Sequence, residues 1–162
     1  MEPASRQGGF TLAESLVAAA ILLIGVMAIS VAVSSGQMQM YHAVHAQRGA
    51  QLAGELMARV LALPYSDPDG PSAPGPEAGE ITVLDFDNAD DFHGYSQAPG
   101  QVRDAAGNLY PASFQVFSRS VAAGYGSESV PGLGNPIPGL TVTVTVQDGK
   151  GLTWTSTRFL RE

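Results

Sequence analysis

Residues 10–33 read FTLAESLVAAAILLIGVMAISVAV, and this stretch decides the architecture of the chain. Within residues 16–33 only Gly25 and Ser30 interrupt a continuous apolar run. At about 1.5 Å per residue, a helix of this length reaches roughly 27 Å, close to the roughly 30 Å hydrocarbon core of a bilayer. The surrounding residues 15–47 contain no Lys, Arg, Asp or Glu. The stretch therefore predicts a membrane-spanning helix.

Two other interpretations of this apolar run are a cleavable secretory signal and a generic single-pass anchor. The run is longer than the roughly 7 to 15 apolar residues of a signal peptide. Its start holds a carboxylate, Glu14, and the residues before it carry only Arg6 against Glu2. Both observations disfavour a cleaved signal, because a signal peptide has a positive start and an apolar run without a carboxylate.

The helical pattern continues beyond the membrane-spanning part as far as residue 63. No proline follows until Pro64, and an apolar stripe recurs at helical spacing on an otherwise mixed segment. The stripe consists of Leu52, Leu56, Val60 and Leu63. The sequence thus predicts one helix over residues 10–63, with an amphipathic second half that can cover another element.

The composition excludes several classes of protein. The chain has 162 residues, 15 Asp and Glu against 8 Lys and Arg, and no cysteine, which excludes disulfides, cysteine-ligated zinc and a thiol nucleophile. The net charge of −7 disfavours a nucleic-acid partner. His42 and His45 lie three residues apart with no third ligand nearby, so we interpret them as solvated side chains on the helix. We find no catalytic motif and expect neither an enzyme nor a cofactor.

The rest of the chain is predicted to form an antiparallel sheet. Five prolines in residues 64–76 place a domain boundary after the helix. Strict alternation puts one set of side chains on a single buried strand face: Leu140, Val142, Val144 and Val146. We predict strands at 81–86, 101–103, 112–121, 140–146 and 152–160, turns at 104–108 and 147–151, and a loop at 124–138. The predicted fold class is α+β, with the helical stripe packed on the sheet and Trp154 in the core.

An acidic segment lies at the start of this domain. Residues 64–104 contain nine acidic residues and one basic residue, Arg103. Four aspartates offer the oxygen ligands that calcium prefers, but their spacing lacks the Gly turn and terminal Glu of an EF-hand. They are Asp85, Asp87, Asp90 and Asp91. We therefore expect a solvated acidic loop that holds no metal, with calcium binding as the alternative.

The residues before the apolar run read Gly8-Gly9-Phe10-Thr11-Leu12-Ala13-Glu14. This segment resembles the N-terminus of type IV prepilins, most closely the minor pilins of the pilus-modification, PilV-like group. The acidic segment that ends in His-Gly-Tyr is similar to a segment found after the long helix in some minor pilins of the mannose-sensitive haemagglutinin and PilV-like groups. The resemblance implies that prepilin peptidase cleaves between Gly9 and Phe10, that Phe10 becomes N-methylated, and that Glu14 acts in assembly. Many major pilins carry a proline near the middle of this helix, where Val31 lies here, and its absence favours a minor subunit or pseudopilin over a major pilin.

Glu14 also has a purely local interpretation. Thr11-x-x-Glu14 is a capping-box pattern, in which the carboxylate satisfies free N–H groups of the first helical turn. A carboxylate beside lipid costs roughly 2.5 to 3.5 kcal/mol and usually has a charged partner. Cleavage before Phe10 would create such a partner, the new amine of this chain or of its neighbour. We therefore favour the assembly role over capping alone.

Together these features predict a minor pilin or pseudopilin of a type IV pilus or a type II secretion-like filament. The expected organisation is a leader at 1–9, a transmembrane half-helix at 10–34, an amphipathic half-helix at 35–63 and an acidic β-rich domain at 64–162. Implied partners are prepilin peptidase, other pilin subunits through the helix, the inner-membrane assembly platform and membrane lipid. The expected location is the cytoplasmic membrane, single-pass, and then a surface filament or periplasmic pseudopilus. The alternative is a membrane-anchored binding or adhesive module that does not polymerise.

Overall fold

The computed structural model describes residues 10–65, 73–129, 131–132 and 134–161. It contains one long helix, a short 3-10 turn at Ala112–Phe114 and four strands. The helix α1 spans Leu12–Val60, and the strands are β1 (Ser96–Gln97), β2 (Phe117–Glu128), β3 (Ile137–Asp148) and β4 (Thr153–Arg161). The strands form one antiparallel sheet in chain order. These elements confirm the predicted α+β class.

The chain divides into two compact units, Met1–Val44 and His45–Glu162. The second unit contains the last turns of α1 and the whole sheet. Its core forms where the helical stripe meets the inner face of β3, and every member of the predicted strand face is fully buried. The core includes Leu52, Leu56 and Val60 from the helix and Leu140, Val142, Val144 and Val146 from β3. Burial of each such side chain stabilises the fold by about 1.5 to 3 kcal/mol, so the covering stripe is a major part of this core.

The helix lies close to the sheet at Gly49. A side chain at this position would meet the ring of Trp154 on β4. Trp154 itself is partly buried against the core, as predicted for the single tryptophan. Gly49 therefore allows the indole ring to lie directly against the helix backbone.

The predicted loop at 124–138 is wrong at both ends. Strand β2 continues to Glu128 and β3 begins at Ile137, so only the residues between them connect the strands. Gly126 pairs with Gly139, and a side chain at Gly139 would meet the Phe159 ring of β4. The glycines here do not break the strands, because ladder hydrogen bonds extend past them and a neighbouring aromatic ring fills the space at Gly139.

The predicted strand at 81–86 is also wrong, since this segment forms a turn. The backbone N–H and hydroxyl of Thr82 both donate to Asp85 Oδ2 at 2.8 Å, and Asp85 N–H donates to Thr82 O at 2.8 Å. Ile81 and Leu84 are 89% and 84% exposed, while Val83 and Phe86 are partly buried against the core. The hydrogen bonds between Asp85 and Thr82 therefore favour a turn over a strand in this segment.

The predicted strand at 112–121 begins later than expected. The 3-10 turn occupies Ala112–Phe114, and the ladder begins only at Phe117. The two predicted turns are confirmed. Asp104 N–H donates to Asn108 O at 2.8 Å, and Asp148 Oδ1 accepts the N–H groups of Lys150 and Leu152 at 2.9 and 2.8 Å. In the predicted strand at 101–103, Arg103 forms only an isolated bridge with Leu109.

Candidate functional site

The first turn of α1 is closed by a reciprocal pair of side chains. The backbone N–H and hydroxyl of Thr11 donate to Glu14 Oε2 at 2.9 and 3.0 Å. In return, Glu14 N–H donates to Thr11 Oγ1 at 3.3 Å. This is the predicted capping box, which satisfies N–H groups that have no partner within a helix. The carboxylate of Glu14 therefore binds Thr11, the residue that directly follows Phe10.

Phe10 precedes the helix and is 86% exposed, while Gly8 and Gly9 lie outside the described residues. The predicted cleavage point is thus described on its C-terminal side only. Its geometry there is simple: an exposed aromatic residue, one capping residue and then a helix that carries the carboxylate in its first turn. The pairing of an amine on Phe10 with Glu14 stays a prediction.

The helix that follows has apolar side chains on its whole circumference. Among the described residues, α1 is the one helix long and apolar enough to cross a membrane. Its large apolar side chains over residues 16–33 are each more than half exposed: Leu16, Val17, Ile21, Leu22, Leu23, Ile24, Val26, Met27, Ile29, Val31 and Val33. A surface of this kind requires lipid or other protein to cover it.

The two helical histidines have different surroundings. His42 is exposed, but His45 is partly buried and its Nε2 lies 2.8 Å from Asp148 Oδ2. The His45 ring stacks on Phe117 with 4.7 Å between ring centroids. The interpretation of His45 as a solvated side chain is therefore wrong, because the sheet places a carboxylate and an aromatic ring against it.

Asp148 joins this contact to the β3–β4 turn. Burial disfavours its charge, but hydrogen bonds from His45 and from the N–H groups of Leu152 and Lys150 outweigh that and hold its pKa below the ordinary value. The contact thus fixes the helix to the hairpin. It serves the fold.

The acidic segment is solvated only in part: Asp85 and Asp87 are exposed, as predicted, but the residues that follow them are packed into the domain, which corrects the prediction there. Asn88, Asp90 and Asp91 are fully buried. Tyr125 of β2 donates its hydroxyl hydrogen to Asp90 Oδ2 at 2.6 Å, and Ala123 N–H donates to His93 Nδ1 at 3.1 Å. The segment is therefore attached to the edge of β2.

The four aspartates proposed as calcium ligands have separate roles. Asp85 caps the Thr82 turn, and those hydrogen bonds lower its pKa. Asp90 binds Tyr125 as described above, and Asp87 contributes its backbone N–H to Asp91. Of the four, only Asp91 belongs to a cluster of potential metal ligands among the described residues, and its companions there are Glu77 and Glu80. The sequence analysis missed both glutamates, because no spacing rule relates them to Asp91.

Asp91 is the buried carboxyl group of this cluster. Burial raises its pKa to about 6, and the negative charges of Glu80 and Glu77 act in the same direction. The N–H groups of Asn88 and Asp87 oppose this effect, since both donate to Asp91 Oδ2 at 3.0 Å. One oxygen of Asp91 is thus well bound, while Oδ1 is buried with no hydrogen-bond partner among the described residues.

A second feature that sequence reasoning missed is a buried arginine on β2. Arg119 is 4% exposed, its Nε donates to Gln97 Oε1 at 2.7 Å, and its guanidinium also donates to Arg103 O. It lines an open groove of ≈ 570 Å³ together with Glu55 and Tyr110, which share a hydrogen bond. Burial, reinforced by Glu55, raises the pKa of Tyr110 to about 12. The alternation of β2 is the signal that places Arg119 on the inner face.

The comparisons with known proteins bear on the start of the helix. Residues 4–30 match the family model described as the prokaryotic N-terminal methylation motif. Comparison with curated proteins and with solved structures gives no match.

The chain carries the type IV pilin signature. This signature supports a type IV pilin- or pseudopilin-like precursor and implies, in general, processing by prepilin peptidase and assembly with pilins. With the single apolar helix near the N-terminus, it indicates a membrane-anchored single-pass protein. Signature and fold point to a structural protein rather than to an enzyme.

Proposed function

We propose that this protein is a minor pilin or pseudopilin that is assembled into a type IV pilus or a type II secretion-like filament. Prepilin peptidase cleaves it between Gly9 and Phe10, and Phe10 is then N-methylated. Before assembly the protein lies in the cytoplasmic membrane, and afterwards in a surface filament or a periplasmic pseudopilus. The methylation motif at residues 4–30 is the observation that carries this proposal.

The geometry at the helix start supports the proposed role of Glu14. Its Oε2 accepts hydrogen bonds from Thr11, the residue directly after the proposed new N-terminus. A carboxylate at this place can bind the amine of Phe10 in its own chain or in the adjacent subunit. An ammonium group that entered an apolar filament core without such a partner would cost several kcal/mol.

The exposed apolar surface supports the proposed division of the helix. Residues 10–34 would lie in lipid and then against the helices of other subunits. Residues 35–63 would connect this part to the β-rich domain at 64–162, whose core the buried Leu52 and Leu56 complete. The inner-membrane assembly platform is the partner that would move the subunit from membrane to filament.

Processing is tested first, because it separates this proposal from a secreted or merely anchored protein. Co-expression with a prepilin peptidase should remove residues 1–9 and leave an N-methylated Phe10, as measured by mass spectrometry of the mature N-terminus. Gly9→Leu should block this cleavage, since the peptidase requires a small residue there. A mature chain that begins near Ser35, after the apolar run, would refute the proposal.

Assembly is tested by comparison of wild type, Glu14→Ala and Glu14→Gln. Both variants should insert and be cleaved normally, because loss of a charge makes the segment more apolar. We expect at least a tenfold loss of processed protein from sheared filaments, relative to membranes, for both. Gln retains the shape and capping capacity of Glu, so a wild-type level for Glu14→Gln alone would mean that capping is its whole role. Absence of wild-type protein from filaments would support a membrane-anchored adhesive module instead.

A further inference from the structure

We propose that Glu77, Glu80 and Asp91 bind one calcium ion at the base of the acidic segment. One carboxylate oxygen from each residue lies within 4.8 Å of the others. Oxygen ligands at 2.3 to 2.6 Å from a shared calcium ion are at most roughly 5 Å apart, so one ion can contact all three. This proposal is independent of the function proposed above.

Asp91 is the observation that points to a ligand. The residue is fully buried, and its Oδ2 already accepts two backbone N–H groups at 3.0 Å. Its Oδ1 has less than 1 Å² of accessible surface and no hydrogen-bond partner among the described residues. A buried carboxylate oxygen left without a donor or a cation is costly, and a bound ion would remove that cost.

The charges around Asp91 add to the cost of its ionised form. Among the described residues, the charged side chains that these two carboxyl groups feel most strongly are acidic: Glu77 and Asp87 for Glu80, and Glu80 and Glu77 for Asp91. The sequence offers one basic residue between positions 64 and 104, Arg103, and its guanidinium donates to Gly107 O at 2.8 Å. A cation from solution is the natural counter-charge for carboxylates held this close together.

The chemistry of the cluster favours calcium over other cations. All three ligands are carboxylates, which suit hard cations, and the described part of the cluster contains no histidine or cysteine. Three carboxylates with added waters or backbone carbonyls meet the six to eight irregularly placed ligands of calcium. Magnesium demands a near-ideal octahedron at shorter distances, which a site formed by a loop does not readily supply.

The cluster also has a structural use for the ion. Glu77 and Glu80 lie in the turn-rich segment after the helix, where Glu77 N–H donates to Glu80 Oε2 at 2.9 Å. Asp91 lies in the part of the loop that is attached to β2 through Asp90 and His93. Calcium would therefore join the entry to the domain to the sheet.

The test measures thermal unfolding of the full chain in detergent, followed by the fluorescence of Trp154. Between EDTA and 10 mM CaCl₂ we expect a saturable rise in Tm of about 3 °C or more, since an ion that binds only the folded state stabilises it and extracellular sites have Kd values of roughly 0.1 to 1 mM. Isothermal titration calorimetry should give one ion per chain. No rise in Tm at 10 mM CaCl₂ would overturn the proposal, as would an equal rise in MgCl₂ at the same ionic strength.

Glu80→Gln is the decisive variant, because its amide oxygen can still accept the N–H of Glu77. We expect it to lose most of the calcium-dependent rise while its Tm in EDTA stays equal to or above that of wild type, since a like charge has been removed. Glu128→Gln is the matched control: it removes one exposed carboxylate at the end of β2 and should keep the full response. An equal calcium response in Glu80→Gln and wild type would show that the ion binds elsewhere and would overturn the assignment.

Discussion

Two stretches of the same helix contrast in how their apolar side chains are covered. Over residues 52–60 the apolar side chains form a stripe, and Leu52, Leu56 and Val60 are at most 2% exposed. Over residues 16–33 they surround the helix, and Ile24 and Leu22 are 67% and 69% exposed. The first stretch is covered by the sheet of its own chain, and the second requires lipid or other protein to cover it. The distribution of apolar residues around the helix, rather than their number, decides which of these applies.

The comparison is tested most strongly by removal of the stripe from the domain. A fragment of residues 37–162 should be soluble and monomeric, with mixed helix and strand, because it keeps the side chains that cover β3. A fragment of residues 64–162 should aggregate, since it exposes the buried face of Val142, Val144 and Val146. Size-exclusion chromatography and circular dichroism measure both. If the shorter fragment folds as well as the longer one, the helix is not part of the core.

A smaller effect on stability is expected when a single leucine in each stretch is replaced by alanine. Leu56→Ala should lower the free energy of unfolding of the domain by about 2 to 5 kcal/mol, because it leaves a cavity against the sheet. Leu22→Ala should leave it unchanged, since Leu22 is 69% exposed. Unfolding of both variants in detergent can be followed by the fluorescence of Trp154, the single tryptophan. Equal losses would contradict the division of the helix.

Replacement of two helix glycines by alanine gives a third test, which probes the contact between helix and sheet. Gly49→Ala should destabilise the domain by about 1 to 3 kcal/mol, because its methyl group would meet the Trp154 ring. Gly54→Ala should instead stabilise it by roughly 0.5 to 1 kcal/mol, since among the described residues no atom beyond the adjoining helix backbone lies within 4 Å of the added methyl group, and alanine favours helix. The difference in Tm between the two variants is the measurement. A Gly49→Ala protein as stable as Gly54→Ala would show that the contact is looser than described.

Substitution of the two helix histidines should have the smallest effect on Tm. His45→Phe keeps an aromatic ring but loses the hydrogen bond to Asp148, so the Tm should fall by about 3 °C at pH 7. His42→Phe should have no effect, because His42 is exposed.

The pH dependence of this difference follows from Asp148. Its pKa in the folded state is lower than the ordinary 3.8, so its ionised form stabilises the fold above pH 3.8. That contribution is lost as the pH falls through the lower, folded-state value. The difference between wild type and His45→Phe should therefore shrink in strong acid, and a constant difference would mean that the charge of Asp148 plays no part.

Where the sequence predictions failed, local hydrogen bonds or distant neighbours decided the outcome. Residues 81–86 have the composition of a strand, but the side chain of Asp85 caps the backbone of Thr82 and closes a turn. The glycines at 124 and 126 suggested a loop, but pairing of β2 with β3 extends through them. In both places residue type is a weak guide to secondary structure. The side-chain hydrogen bonds in the first and the strand pairing in the second are worth as much as the intrinsic backbone preference of the residues.

The sequence by itself determined the long helix, its apolar and amphipathic parts, its capping box and the buried face of β3. These features follow from short-range periodicity, since the spacing of residues along a helix or strand fixes which side chains share a face. The N-terminal motif is likewise continuous in sequence.

Only the tertiary structure brought His45 to Asp148, placed Arg119 beside Gln97 and gathered Glu77, Glu80 and Asp91. No helical or strand periodicity relates the partners in these three groups. They arise from the path of the loops and the docking of the helix on the sheet, and that path is set by the sum of all packing contacts rather than by any local pattern.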